Sequence, residues 1–404
     1  MTLIEVAGAK IDTRHYINGQ RVASAETFTN TSPIDGAFLG EISAAGVDEV
    51  NQAVAAAKAA FPGWWKLGPK GRGELLMKLA DLVEANVETL SQLETLDNGS
   101  LLRSHRRGVM PRVAMNIRFF AEYAMNELKH DDLETRGHTN KISWDPSGVA
   151  AIITPWNAPL MLATWRIGPA LAAGDTVVLK PAEWTPLSAS FFADLTKQAG
   201  IPDGVFNVIQ GFGRTAGAAL TEHKDISRIA FTGSVPTAKI IAKAAAENLV
   251  PCSFELGGKS PLMIFGDSDL DLAATIAVEQ YDNAGQVCLS GTRLLVHESI
   301  ADAFAEKFRE KAALVKQGDP RDEATDIGPQ IHKVHFDRVK GFVDRAREEG
   351  ANIIMGGTPN DDLGGLYFNP TLVMNPAKGS EIVTAEIFGP VLCMQTFSTD
   401  EEAV

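Results

Sequence analysis

The sequence predicts an α/β protein of two or three domains, built on parallel sheets with helices on both faces. Three observations support this. The chain has 404 residues, too many for one ordinary hydrophobic core. From Gly148 onward, short apolar runs alternate with helical stretches, the pattern of a covered parallel sheet. A second block with the same habit begins near Phe254.

Residues 16–45 read as short strands and turns, with an Asn18-Gly19 hairpin signal. An Ala-rich helix follows over 47–61, with Asp48 and Glu49 well placed in its first turn. Residues 70–97 form a second helical stretch ended by Asn98-Gly99. A third starts near Pro111 and runs through Tyr123. The polar segment 131–146 looks like an exposed arm or hairpin. Residues 149–154 are a buried strand, and helix 160–173 stops at Gly174. Strand 176–180, helix 186–199, strands 205–209 and 226–231, and helix 237–247 continue the series. In the second block, strand 261–265, a helix from Leu270, strand 292–296 and an amphipathic helix over 300–315 repeat it. Ser398-Thr-Asp-Glu-Glu-Ala-Val404 has the capping-box look of a helix start. A natural domain rarely ends at such a point, so truncation is expected.

Composition excludes several classes. Hydrophobic residues make up 45% and mean hydropathy is near zero, as in soluble globular proteins. No apolar run is long enough to span a bilayer, and Met1-Thr-Leu-Ile-Glu-Val does not read as a secretory signal. A cytoplasmic protein is expected, with no membrane partner. A net charge of −14 argues against nucleic-acid binding. Three cysteines, an odd count, argue against a disulfide framework. Cys252 and Cys393 have apolar neighbours and read as small buried hydrophobes. No metal site is expected.

The cofactor signals are individually weak. Gly211-Phe-Gly213, with Gly217 one residue late, approximates a dinucleotide fingerprint but also fits a plain strand-to-helix turn. Phe231-Thr232-Gly233-Ser234 precedes a helix whose first N–H groups could hold a pyrophosphate. Lys180-Pro-Ala182-Glu183 lies at the carboxyl end of a strand, where open parallel sheets bind ligands. A Glu there can accept from both hydroxyls of an adenosine ribose and would repel a 2′-phosphate; Lys180 can donate to the same sugar. A solvated Lys–Glu pair is the plain alternative.

Chemistry enters with Cys288, in Gly285-Gln-Val-Cys288, which follows Glu255 of Phe254-Glu-Leu256-Gly257-Gly-Lys259. Thiolate attack on an aldehyde gives a tetrahedral thiohemiacetal. The Asn157 amide of Thr154-Pro155-Trp156-Asn157 and the Cys288 N–H can hold its oxyanion. Hydride can then leave to a nicotinamide, and Glu255 can deprotonate the water that hydrolyses the thioester. Each residue also has a plain structural reading: Asn157 as a turn residue, Cys288 as a core thiol, Glu255 as a surface carboxylate. Convergence of the three on one electrophilic carbon is the central expectation.

Six motifs, those at 154–157, 180–183, 231–234, 255–259 and 285–288 together with Glu386-Ile-Phe388-Gly-Pro390, resemble the ordered signature of the NAD(P)-dependent aldehyde dehydrogenases, and the resemblance spans nearly the whole chain. It implies a Rossmann-like nucleotide domain over 1–254 with an oligomerisation arm at about 131–148 inserted. It also implies an incomplete catalytic domain over 255–404. Cys288 would be the nucleophile, Glu255 the base and Asn157 the oxyanion donor. Glu386 would hold the nicotinamide ribose with Phe388 against the ring. Ile153 would join the cofactor-binding set together with the motif residues above. Glu183 favours NAD over NADP, and Glu255 implies hydrolysis rather than transfer to coenzyme A. The parent enzyme would be a homodimer or homotetramer. Ala238, His335 and Arg338 depart from the common pattern; a glutamine often stands at the second and a lysine at the third. The helix bearing Arg112 resembles that of muconic-type semialdehyde dehydrogenases, which makes Arg112 a candidate for a substrate's distal carboxylate. A cofactor-independent thiol esterase is the alternative, but it would not need Glu183 or Phe231-Thr-Gly-Ser234. A non-catalytic relative would be expected to lack Cys288 or Glu255.

Overall fold

The computed structural model describes residues 3–6, 8–128 and 131–404. Two compact units emerge: Met1–Thr31, Phe38–Asp97 and Ser104–Glu255 in the first; Ser32–Ala37, Asn98–Arg103 and Leu256–Val404 in the second. Two short segments from the first 103 residues thus belong with the second unit. Of the amino-terminal stretch 1–6, the described part, Leu3–Val6, pairs antiparallel with Ala9–Asp12.

The first unit is built on a seven-stranded sheet. Its strands run in the order Cys252–Leu256, Arg228–Gly233, Val149–Ile153, Thr176–Lys180, Phe206–Val208, His15–Ile17, Gln20–Val22. Arg228–Gly233, Val149–Ile153, Thr176–Lys180 and Phe206–Val208 pair in parallel. The Asn18-Gly19 hairpin closes one edge antiparallel. Val149–Ile153 and Thr176–Lys180 are buried at every position, which is why they read as unbroken apolar runs. The strand period of two sorts their side chains between two cores. Ala150, Ile152, Val177 and Leu179 pack with Leu76, Ile117, Ile167 and Phe192. Ala151, Ile153 and Val178 pack with Val54, Leu220 and Ile241.

The helices differ from expectation at three places. The helix expected over 47–61 runs Val47–Lys66 and includes Pro62. Its last turn is anchored by buried Trp64, whose Nε1 donates to Leu171 O at 3.1 Å. The stretch 70–97 is two helices, Gly68–Ala85 and Val87–Asn98, broken at Asn86, whose side chain donates to Leu82 O at 2.8 Å. A π-helical turn, His105–Val109, precedes helix Met110–Asn126. The expected arm is a fully exposed antiparallel hairpin, Asp131–Thr135 with His138–Ile142.

The second unit carries a five-stranded sheet in the order Pro261–Ile264, Arg293–His297, Val391–Phe397, Thr371–Met374, Asn352–Met355. The first four are parallel and the last antiparallel. Helices Ala301–Ala312 and Lys333–Glu348 cover it through Phe304, Phe308, Val339 and Val343. Ser398 and Thr399 cap the final helical turn through Glu402, as expected. Cys393 is buried, but Cys252 is only half-buried, because it lies on the strand Cys252–Leu256, none of whose residues is fully buried. Among the described residues no helix is long and apolar enough to cross a membrane.

Candidate active site

In the first unit, Asn157 sits in the loop between strand Val149–Ile153 and helix Pro159–Ala173. Thr154 N–H continues the sheet by donating to Lys180 O at 3.2 Å. Three residues beyond Asn157, Leu160 N–H donates to the buried Glu94 carboxylate at 2.8 Å, and Ser188 Oγ donates to the same oxygen at 2.9 Å. A helix leaves its first N–H groups unsatisfied, so a buried acceptor here fixes the start of the helix. Asp97 does the same for helix Leu187–Gln198, accepting from Leu187 N at 2.9 Å and from Asn30 Nδ2 at 2.5 Å. Burial pushes Glu94 up to about 7 and Asp97 up to about 8. Sequence reasoning missed both carboxylates. The available signal was their spacing on the apolar helix face that also carries Leu90 and Leu93.

Helix Pro159–Ala173 also presents Arg166. Its Nη2 donates to Glu255 Oε1 at 2.6 Å. Glu255, on strand Cys252–Leu256, is exposed, as is Leu256 after it. Asn157 and Glu255 are therefore linked through one helix.

Of the expected cofactor residues, Ile153, Thr154, Lys180, Ala182, Phe231 and Thr232 are buried. Lys180 Nζ donates to Pro181 O at 2.8 Å and to Glu183 Oε2 at 3.4 Å. Burial pushes the lysine down and Glu183 opposes this. The lysine thus steadies Glu183 at the strand end. Helix Val235–Glu247 follows Ser234 with its first residues exposed and Pro236 in its first turn, an open helix start of the kind that can receive an anion. A Cβ at Gly213 would meet nothing within 4 Å, whereas one at Gly211 would come 2.9 Å from Ala45 N. Gly213–Gly217 form a π turn.

In the second unit, three motifs distant in sequence pack together. A Cβ on Gly257 would lie 1.9 Å from a Glu386 carboxylate oxygen, so the carboxylate occupies space that a side chain at 257 would contest. Gly258 N–H donates to it. Burial pushes Glu386 up; that N–H, Arg338 and Lys259 oppose the rise. A Cβ on Gly285 would lie 2.1 Å from Gly389 O, so the turn before Cys288 rests directly on the backbone after Phe388. That turn is strained. Asn283, Ala284 and Gly285 all have positive φ, at 49°, 56° and 73°, at a cost of about 1–3 kcal/mol for each non-glycine residue. Gln330 Nε2 donates to Ala284 O at 3.0 Å, and Ser100 Oγ to Asn283 Oδ1 at 2.8 Å. Cys288 itself is half-buried. Phe388 is a further left-handed residue, at φ 60°.

Arg112 joins neither group. It is exposed on helix Met110–Asn126 and makes no hydrogen bond or ion pair among the described residues. Its cationic neighbours are engaged: Arg106 with Glu88, Arg118 with Asp81 and Glu84. Among the described residues no cluster of three His, Cys, Asp or Glu side chains could hold a metal ion.

The model of the aldehyde dehydrogenase family matches residues 21–404. The chain is 39% identical over 397 residues to the 5-carboxymethyl-2-hydroxymuconate semialdehyde dehydrogenase of Escherichia coli, covering 96% of this chain and 84% of that protein. It is 38% identical over 398 residues to the 2-aminomuconic semialdehyde dehydrogenase of Danio rerio, covering 96% and 82%. The crystal structure of betaine aldehyde dehydrogenase from Staphylococcus aureus in complex with NAD+ superposes with a TM-score of 0.94 at 36% identity, covering 97% of this chain and 79% of that one.

Proposed function

The chain belongs to the aldehyde dehydrogenase family, and we propose that it oxidises a carboxylated semialdehyde to the free acid with NAD, through a covalent intermediate on Cys288. The Cys288 thiolate adds to the aldehyde carbon, and the Asn157 amide with the Cys288 N–H holds the oxyanion. NAD, when bound, takes up the hydride. Glu255 then removes a proton from the water that cleaves the thioester, releasing acid and thiol.

One observation carries this reading: Gly257 and Gly285 leave room for Glu386 and Gly389, which gathers the nucleophile turn and the Glu386–Phe388 segment into one site. The carboxylate cradled on Gly257 fits a nicotinamide ribose. The solvent-facing helix start at Ser234 fits a pyrophosphate, and Glu183 fits an adenosine ribose while disfavouring a 2′-phosphate. The names of the E. coli and Danio rerio relatives and the unpaired Arg112 support an acidic substrate. The exposed hairpin arm supports a homodimer or homotetramer. The three free cysteines suit a reducing cytoplasm.

The test is absorbance at the NADH band with acidic, neutral and amino aldehydes, each with NAD and NADP. Turnover of acidic semialdehydes with NAD is expected. Absence of reduced cofactor with every aldehyde would overturn the reading; equal rates on acidic and neutral substrates would remove its carboxylate part.

A further inference from the structure

We infer that His335 and Arg338 form a clamp that positions Glu386 and Phe388 for the nicotinamide half of the cofactor. This rests on the reading of Glu386 and Phe388 given above. Both residues project from helix Lys333–Glu348, one turn apart. Arg338 forks onto two successive carbonyls, Nη2 to Glu386 O at 2.6 Å and Nη1 to Ile387 O at 2.8 Å. His335 Nε2 meets the next carbonyl, Phe388 O, at 2.7 Å. Three consecutive peptide oxygens are therefore held by two side chains of one helix.

The geometry explains why each residue type serves. A carbonyl only accepts, so His335 carries its proton on Nε2. Burial pushes its imidazole down to about 4, which leaves it neutral in ordinary buffers and fixed as a donor. Its ring also stands edge-on to the Phe388 ring, with centroids 6.1 Å apart. The planar guanidinium reaches the two oxygens with two separate nitrogens held in a rigid fork, a geometry that the single nitrogen of an ammonium does not offer. It is backed by the Phe342 ring, 5.0 Å from its central carbon. Helix register is set by His332, whose Nδ1 accepts from His335 N at 3.1 Å.

The clamped segment needs holding. Phe388 is non-glycine at φ 60°, a conformation that persists only where surroundings enforce it. Glu386 must keep its carboxylate on Gly257. Side chains at 335 and 338 that are engaged with backbone act through 386 and 388, so they are positioning residues.

The test compares Arg338→Met, Arg338→Lys, His335→Ala, His335→Gln and Glu386→Ala. Readouts are NADH affinity by fluorescence titration, melting temperature without cofactor, and the separate KM values for NAD and aldehyde. Arg338→Met and His335→Ala should each weaken NADH binding about tenfold, the effect of losing one or two strong hydrogen bonds. KM for NAD should rise while KM for aldehyde stays. Lysine should restore part of the Arg338 effect, and glutamine part of the His335 effect, since its amide can donate to Phe388 O. If both truncations lower only the melting temperature and leave NADH affinity intact while Glu386→Ala weakens it, the clamp is wrong and the Glu386 assignment stands. If Glu386→Ala also leaves affinity intact, the underlying assignment fails and the clamp with it. Should Arg338→Met not fold, an unchanged affinity in Arg338→Lys overturns the forked contact alone.

Discussion

Arg166 donates to one oxygen of Glu255 at 2.6 Å, and the other oxygen has no protein partner among the described residues. The pair holds a half-exposed carboxylate in one orientation and leaves one oxygen open to water. Exposure screens the attraction, so the contact orients more than it stabilises. Arg166→Met should lower kcat about tenfold through loss of that orientation, with a bound acyl group accumulating on Cys288. Glu255→Gln should give the same adduct more completely. Mass spectrometry of the enzyme during turnover checks both. Loss of activity without an adduct in either variant would refute Glu255 as the deacylating base.

The turn before Cys288 offers a sharper structural test. At φ 73°, and with a Cβ only 2.1 Å from Gly389 O, Gly285 cannot become alanine without moving backbone. Gly285→Ala should cost on the order of 2 kcal/mol or more and displace Cys288. Thiol labelling with a slow alkylating reagent, alongside a melting curve, reports both effects. An alanine variant with wild-type labelling, stability and turnover would show that the close approach to Gly389 does not govern the nucleophile.

The proposed role of Arg112 in substrate choice can be tested directly. An exposed guanidinium with no partner is available to a distal carboxylate, whereas Arg106 and Arg118 already have carboxylates of their own. Arg112→Ala should raise KM for an acidic semialdehyde roughly tenfold, the value of one charge-assisted pair, and leave neutral aldehydes unaffected. Parallel kinetics on one acidic and one neutral substrate decide the matter; an equal effect on both would assign Arg112 a structural role.

Why some of this was legible in the sequence and some was not follows from the range of the interactions. Strands 149–153 and 176–180 announce themselves because burial on both faces demands unbroken apolar runs. The Asn18-Gly19 hairpin and the cap at Gly174 are equally local. The motifs around Cys288, Glu255 and Glu386 were visible because glycines and chemistry-bearing side chains stand side by side. The break at Asn86 was not visible, since it depends on a side chain taking a backbone carbonyl inside an otherwise helical pattern. Glu94 and Arg166 were hidden for a different reason. Each reads as an ordinary charged helix residue, and its partner lies 66 or more positions away. His335 and Arg338 stand out in the sequence only as departures from a common pattern; their bonds to the carbonyls of residues 386 to 388 give those departures a role.

Buried titrating groups set the pH dependence of stability. His15, His105 and His335 are each pushed down to about 4 by burial, while Glu94 is pushed up to about 7 and Asp97 up to about 8. For the imidazoles the unfolded chain binds more protons between about 4 and 6.5, so their contribution grows as pH rises through that window. The carboxyls have the opposite sign. Their stabilisation is complete below the ordinary carboxyl range and is lost as pH rises through about 7 and 8. His105 Nδ1 lies 3.6 Å from Glu94 Oε2, so the two opposing groups share one buried pocket. Below about 6.5 the two sets oppose each other; above it the imidazoles no longer contribute a slope and the carboxyls alone lower stability. The melting temperature should therefore peak near pH 6.5 and fall toward pH 8. The double variant Glu94→Gln, Asp97→Asn should flatten that fall, because the amides do not ionise yet can still accept the N–H groups of Leu160 and Leu187. Melting curves from pH 5 to 8.5 measure this directly, and a fall of unchanged steepness in the double variant would place its origin elsewhere.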